Sequence, residues 1–406
     1  MNLVVIAPHF TPDVAPTGVV ITRIVEELVQ RGHRIHVFTS YPWYEDHRVD
    51  PTYEGRWVRH EDTPWGRITR VHPFPTSDKR NILKRALSFA GFSAVLTYIA
   101  RRGERVDGVL AMSPPLTLGL SGWAVGRARK APFVFNVQDV FPDVAIDLEV
   151  LTDRRLIAAA RRVERFCYDH ADAVTVLSED LQGNVRSKTT HPERVHVIPN
   201  FVDTETIKPS PRENAYRREF GLEGKTVVMY AGNVGLSQSL EMVIDAAAAL
   251  AYEESLAFVI NGQGAARSEL ERRAAGLPNV RFVDLQPAER LPEVLAAGDV
   301  HLVPLKRGLG RSSVPSKTYS ILAAGRPLIA SVDEGSEVAR TVERAGAGVA
   351  LRPDDAEALT KAIRRFIDAP DELQVMGAAG RRFVESWASP AAVAEAYERL
   401  FDELRD

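Results

Sequence analysis

A chain of 406 residues, 45% hydrophobic and 26% charged, has the make-up of a soluble globular protein long enough for two cores, which excludes a disordered or fibrous polymer. Its net charge of −3 leaves no basic footprint for nucleic acid, so no nucleic-acid partner is expected. The single cysteine, Cys167, cannot form an internal disulfide and reads as a small buried hydrophobe in a reducing, cytoplasmic protein.

Leu3 to Ala7 is a short apolar run without a basic leader, too short for the core of a signal peptide, and reads as a first buried strand. A Pro/Gly loop follows, then Val19 to Gln30 with apolar residues at helical spacing, closed by Arg31-Gly32. Arg34 to Thr39 is a second strand, and the alternation returns at Gly108–Ala111, Phe133–Asn136 and Ala173–Leu177. Strands apolar on both faces and separated by helices imply a parallel sheet covered on both sides.

Arg194 to Asn200 ends this first set, and the stiff connector Lys208-Pro209-Ser210-Pro211 follows. The alternation restarts at Thr226–Gly232 and continues through Ala257–Gly262, Val280–Val283, Val300–Pro304 and Pro327–Ala330. The expected fold is α/β with two doubly wound, Rossmann-like domains, residues 1–204 and 205–385, facing across a cleft. Trp387 and the stripe Val393, Ala396, Tyr397, Leu400 and Phe401 make residues 386–406 a final amphipathic helix crossing back to the first domain. Ligands of such sheets bind beyond the carboxyl ends of the strands.

The loop from Pro8 to Gly18 ends at a helix start, where free backbone N–H groups suit an anion. Gly18 either lets backbone approach a phosphate or relieves a tight turn. His9 either contacts a donor sugar or fills the loop. No Gly-x-Gly-x-x-Gly joins the first strand to its helix, which argues against a dinucleotide oxidoreductase. No uninterrupted apolar run reaches the roughly 18 to 20 residues that span a bilayer. Within Lys79 to Arg105, however, basic ends flank an apolar middle, which fits either a helix lying on a membrane surface or an ordinary covering helix. The histidines are scattered and there is no Asp-x-Asp triplet, so no metal site is implied.

Several segments together resemble glycosyltransferase family 4: Gly262-Gln263-Gly264, Asn279-Val280-Arg281-Phe282, Ala297-Gly298-Asp299-Val300 and Ala323 to Ala330, with Ile198 to Asp203 and Arg31 to Val37. Within it, Val137 to Asp143 and Val314 to Tyr319 resemble a bacterial surface-polysaccharide subgroup similar to fucosamine and colanic-acid transferases. The resemblance implies a GT-B fold and an enzyme, a hexosyl- or N-acetylhexosaminyl-type transferase. It also implies a nucleoside-diphosphate sugar bound by the second domain, retention at the anomeric carbon, no cofactor and no metal. The acceptor it implies is a polysaccharide or lipid-linked saccharide at the inner face of the cell membrane.

Four donor-side positions depart from the family. Its two glutamates fall on Ser312 and Ser320, and its Arg and Lys after the first strand of the second domain fall on Asn233 and Gln238. A departing diphosphate still needs donors where charge develops. Lys317 is the first choice, against a solvated lysine on a helix; Arg311 and Ser316 stand around the donor, Gly262 either joins them or makes a plain strand-to-helix turn, Arg326 is either a further cation or a helix cap facing solvent, and the amides of Gly235 and Gly18 are neutral helpers. Asp139 stands where the family has a histidine; it either orients the acceptor hydroxyl and takes its proton or caps a helix. Asp143 and Asp147 follow at helical spacing and either share one face with it or, for one of the three, stand as a solvated charge. Three other functions stay open: transfer to a small-molecule natural product, a relative that isomerises or hydrolyses nucleotide sugars, and a non-catalytic partner that binds them.

Overall fold

The computed structural model describes residues 1–45, 48–53, 55–74, 82–147, 150–309 and 317–405, with backbone alone at 82–86 and 147. The chain divides into two compact units, Met1–Asn200 with Pro390–Asp406, and Phe201–Ser389. The first contains strands β1 (Asn2–Ile6), β2 (Arg34–Ser40), β3 (Val58–Thr63), β4 (Gly66–Val71), β5 (Gly108–Ser113), β6 (Phe133–Val137), β7 (Ala173–Val176) and β8 (Val195–Val197). They form one sheet in the order β3-β4-β2-β1-β5-β6-β7-β8. The second contains β9 (Thr226–Ala231), β10 (Leu256–Asn261), β11 (Val280–Val283), β12 (Val300–Pro304), β13 (Leu328–Ser331) and β14 (Gly348–Leu351), ordered β11-β10-β9-β12-β13-β14. Every pairing is parallel except that of β3 with β4.

The inner strands are buried along their whole length, as β5, β6 and β12 show, which is why they read as continuous apolar runs rather than as alternations. The β3–β4 hairpin is different. Its sequence, VRHEDT followed by GRITRV, alternates charged residues on an edge strand, a pattern that discourages further pairing. That charge is the reason it does not stand out as a buried strand. Gly66 permits the close approach, since a Cβ there would lie 2.0 Å from the Ile35 carbonyl oxygen at a φ of +151°.

Helices start where side chains replace the missing intrahelical partners. Asp153 accepts from the N–H groups of Arg155 and Leu156 at the head of Arg154–His170, and Ser336 accepts from that of Ala339 at the head of Glu337–Ala345. Cys167, on the first of these, is fully buried, and burial pushes its thiol up to about 12, which makes it an inert core group.

The helix Pro390–Glu403 packs on the helix Pro16–Gln30 of the first unit. It brings Tyr397 into a buried polar chain: Asn136 donates to the Tyr397 hydroxyl (2.7 Å) and Gln138 donates to Asn136 (2.7 Å). The chain continues as Asn200 donates to Gln138 (2.8 Å), while Thr175 lies 3.2 Å from the same tyrosine hydroxyl. Such a network costs more to interrupt than to build, because each member left alone is a desolvated polar group.

The helix Ile82–Ala100 buries Phe92, Leu96 and Ala100 in the core of the first unit. Its opposite face leaves Leu87 72% and Tyr98 58% exposed. Lys79 and Arg80 lie outside the described residues. Among the described residues, no helix is long and apolar enough to cross a membrane.

Tyr397→Phe is expected to destabilise the first unit by about 1 to 2 kcal/mol, because it strips a shared partner from Asn136 and Thr175. Chemical denaturation followed by circular dichroism measures this, and an unchanged midpoint would contradict it.

Candidate active site

In the second unit, the ends of β9, β10 and β12, the segment after β11 and the two helices Leu291–Ala297 and Lys317–Ala323 surround a cavity of about 630 Å³. One wall is polar: Gly232, Asn233, Gln238, Asn261, Lys317 and Ser320. The other is apolar, contributed by Leu285, Pro287, Leu291, Val294 and Leu295. None of the described residues lining it is an aspartate or glutamate.

Glycines bring the backbone to the polar wall. Gly232 has a φ of +138°, and a Cβ on it would stand 3.0 Å from the Lys317 ammonium. A Cβ on Gly262 would come within 1.8 Å of the Gly232 carbonyl oxygen. Gly262 is therefore fixed by backbone packing behind the wall, and its carbonyl accepts from Arg267 at 2.7 Å. Asn233 presents its carbonyl to the Tyr230 hydroxyl at 2.5 Å. The Gly235 amide donates to the Gln238 side chain (3.0 Å), so within the unit that N–H is already engaged.

Lys317 is the cation of this wall. Its ammonium stands 3.9 Å from the centroid of the Tyr230 ring, and burial pulls its pKa down to about 8. The ring face returns part of the lost hydration, on the order of 0.5 to 2 kcal/mol. No carboxylate among the described residues pairs with it: a half-buried positive charge is held at the edge of a cavity without a counter-ion. Ser320 lies one helical turn beyond it on the same lining. Arg311 and Ser316 lie outside the described residues. Arg326 is turned to another task, donating to the Ser210 carbonyl (2.8 Å).

His301 forms part of the cavity lining and is completely buried. Burial pulls its pKa down to about 4, so it is neutral. Its Nε2 lies 2.9 Å from the Leu295 carbonyl, which fixes the proton there, and Nδ1 has no partner among the described residues. Neither His301 nor the apolar wall was singled out in the sequence; a histidine inside the apolar run of β12 was the signal available.

In the first unit, the sequence-derived candidates separate into committed and uncommitted groups. His9 Nδ1 lies 2.6 Å from Asp13, and its ring stacks on Trp43 with centroids 5.6 Å apart. Gly18 sits in the first turn of its helix, where a Cβ would meet that of His9 at 2.9 Å; close packing on the loop accounts for the glycine. Asp143 accepts from Lys188 (2.6 Å) and Asn184 (3.1 Å). Burial would raise its pKa, but these bonds outweigh it and hold the carboxyl below its ordinary range.

Asp139 lies between β6 and the short helix Asp143–Asp147, outside any helix. The expected helical face shared by Asp139, Asp143 and Asp147 therefore does not form, and Asp139 caps no helix among the described residues. The cis peptide between Phe141 and Pro142 belongs to the loop that separates them. Asp139 is exposed, yet nearby protein partly desolvates its carboxylate and raises its pKa. It follows Gln138, which the Asn136–Asn200 chain of hydrogen bonds holds in place.

Comparison with known proteins agrees with both units. Residues 17–200 match the model of the glycosyl transferase 4-like domain, and residues 225–369 that of the glycosyl transferases group 1. The chain is 32% identical over 315 residues to the probable glycosyltransferase WbjE of Pseudomonas aeruginosa, across 76% of this chain and 77% of that one. It is 29% identical over 384 residues to the putative colanic acid biosynthesis glycosyl transferase WcaI of Escherichia coli, across 91% and 93%. Among solved structures, sucrose-phosphate synthase from Thermosynechococcus elongatus superposes with a TM-score of 0.67 at 18% identity, over 100% of this chain and 99% of that one. The lipopolysaccharide glycosyltransferase WaaG does so with 0.59 at 16%, over 97% and 99%. With two parallel-sheet units, both family models and these relatives in agreement, the chain belongs to glycosyltransferase family 4 and carries its GT-B fold.

Proposed function

We propose that the chain is a retaining glycosyltransferase of polysaccharide biosynthesis, taking its sugar from a nucleoside-diphosphate donor held in the second unit. The observation that carries this reading is Lys317, a cation with no carboxylate partner among the described residues, at a cavity of about 630 Å³ whose apolar lining suits a nucleoside and whose polar lining, with Gly232, suits phosphates. The name of WcaI, a putative colanic acid biosynthesis glycosyl transferase, supports the pathway class.

The chemistry follows from charge. As the bond from the anomeric carbon to the diphosphate breaks, negative charge grows on the leaving oxygen, and Lys317 stabilises it. The acceptor hydroxyl oxygen attacks the same face of that carbon and gives its proton to a diphosphate oxygen. No protein nucleophile takes part. Asp139, exposed and without a hydrogen-bond partner among the described residues, serves the first unit by orienting the acceptor hydroxyl. No metal or cofactor is assigned to this reaction.

The acceptor is a saccharide carried at the inner membrane face, and the exposed stripe of Leu87 and Tyr98, followed by Arg101, Arg102 and Arg105, supports peripheral contact there. Cosedimentation with vesicles containing anionic phospholipid is expected to fall several-fold for Leu87→Glu with Tyr98→Glu. Equal sedimentation of the wild type with neutral and anionic vesicles would contradict the contact.

Thermal shifts with UDP-, GDP- and dTDP-sugars identify the donor, since a ligand of the native state alone must raise the midpoint. Lys317→Ala is expected to weaken the binding donor at least tenfold. In the wild type, affinity falls as pH rises through 8, because the ammonium carries its charge only below its pKa of about 8; Lys317→Arg removes that dependence. Between pH 8 and 10.5 the unfolded chain binds more protons at Lys317 than the folded one does, so stability at this site rises with pH. Lys317→Met should therefore raise the melting temperature at pH 7 while impairing donor binding. Donor affinity unchanged in Lys317→Ala would remove the lysine from the site. Asp139→Asn is expected to lower turnover at least tenfold with donor affinity intact, and equal loss of both would mark it as structural.

A further inference from the structure

The cavity of the second unit is lined by a polar side chain whose orientation a buried neighbour dictates. Asn261 ends β10, in register with Ala231 of β9 on one side and Val283 of β11 on the other. The chain leaving β9 brings Gly232, close to the Lys317 ammonium; the chain leaving β11 brings Leu285 and Pro287. Asn261 therefore stands at the seam between the polar and the apolar lining, and it is 3% exposed.

Behind it lies Tyr216, on the helix Ala215–Glu219. This tyrosine is fully buried, and burial pushes its phenol well above the ordinary range, so the hydroxyl keeps its proton. Asn261 Oδ1 accepts that proton's hydrogen bond at 2.8 Å. Turning the amide over would set its NH2 against a hydroxyl with no other acceptor among the described residues, a loss that buried donors rarely sustain. Tyr216 is held in turn, because its backbone N–H donates to Glu293 (2.8 Å). The Asn261 Nδ2 is left over: it has no partner among the described residues and is not sealed from solvent. A donor of fixed direction thus opens on a cavity of about 630 Å³.

What such a donor selects follows from the surfaces beside it. A flat heterocycle lying against Leu285, Pro287, Leu291 and Val294 would be dry on its faces and polar only along its edge. An amide NH2 at that edge is matched by a carbonyl oxygen and mismatched by an exocyclic amine. Uracil and guanine carry ring carbonyls, whereas adenine carries an amine and no carbonyl.

We propose that Asn261 is the base-selecting residue of the donor site. Its Nδ2 donates to a ring carbonyl of the nucleobase and so favours a uridine or guanosine diphosphate over an adenosine diphosphate. Tyr216 is the positioning residue that holds the amide in that sense. The inference rests on the nucleotide-donor reading and narrows it to a class of base.

Isothermal titration calorimetry of the full chain with UDP, GDP and ADP tests this, since the three share a ribose and a diphosphate and differ in the base alone. At least one of UDP and GDP should bind about tenfold tighter than ADP. Asn261→Ala should weaken that ligand about tenfold and change ADP affinity by no more than about twofold, which erases the preference. Tyr216→Phe keeps the amide but frees its orientation, so the preference should shrink several-fold. A tyrosine that only supports the fold would lower the melting temperature and leave the ratio of affinities unchanged. Equal losses for all three ligands in Asn261→Ala would put the amide on the ribose or diphosphate and overturn the proposal. Tighter binding of ADP, or a preference that survives both substitutions, would overturn it as well. Binding of all three without a preference in the wild type sinks this inference alone; no binding of any of them sinks the donor reading and this inference with it.

Discussion

Parallel strand pairing is the constraint from which the rest of this molecule follows. A parallel strand cannot return by a tight turn, so each crossover must climb over a face of the sheet, and both faces end up covered by helices. Every strand of a parallel set then points its carboxyl end the same way, and the loops that leave those ends gather along one edge of the sheet. In the second unit these loops supply Gly232, Asn233 and the segment around Leu285. In the first they supply His9 and Asp139. These candidate residues collect along one edge of each sheet because the backbone brings those loops together there.

Within that frame the polar lining of the second unit's cavity is sparing of charge. Where relatives are expected to carry two cations after the first strand, Asn233 and Gln238 stand, and Gln238 is partly spent on the Gly235 amide. Among the described residues lining the cavity, the Lys317 ammonium over the Tyr230 ring is the one charged group. One charge in a poorly solvated place is worth more than the same charge in water, since Coulomb energy scales inversely with the effective dielectric. The same desolvation lowers the pKa of Lys317, so the strength of the interaction and its sensitivity to pH have one cause.

How much of this was legible in the sequence depended on whether the signal was local. The buried strands announced themselves as apolar runs, and Lys317 stood out beside the Ala-Gly-Arg-Pro turn. The β3–β4 hairpin was hidden because its charged alternation resembles a loop. The supposed face of three aspartates failed because helical spacing does not by itself make a helix. The segment around Pro142 turns before the helix starts at Asp143, which then spends its carboxylate on Lys188. The apolar wall around Leu285 and Leu291 was invisible for another reason: those residues come together only after β11 and the following helix have been placed on the sheet.

The polar chain from Tyr397 through Asn136 and Gln138 ends at Asn200, the last residue before the second unit begins, while Pro390, the first residue after it, starts the helix that carries Tyr397. The second unit is therefore an uninterrupted stretch of chain, and its two ends are joined by the hydrogen bond from the Val202 N–H to the Ala388 carbonyl (2.9 Å). In topological terms it is an insertion whose entry and exit share one doorway, the arrangement that lets a module be exchanged without threading or reconnecting its host. A lineage could replace Phe201–Ser389 as a cassette in one recombination event while the sheet and polar network of its host stay intact.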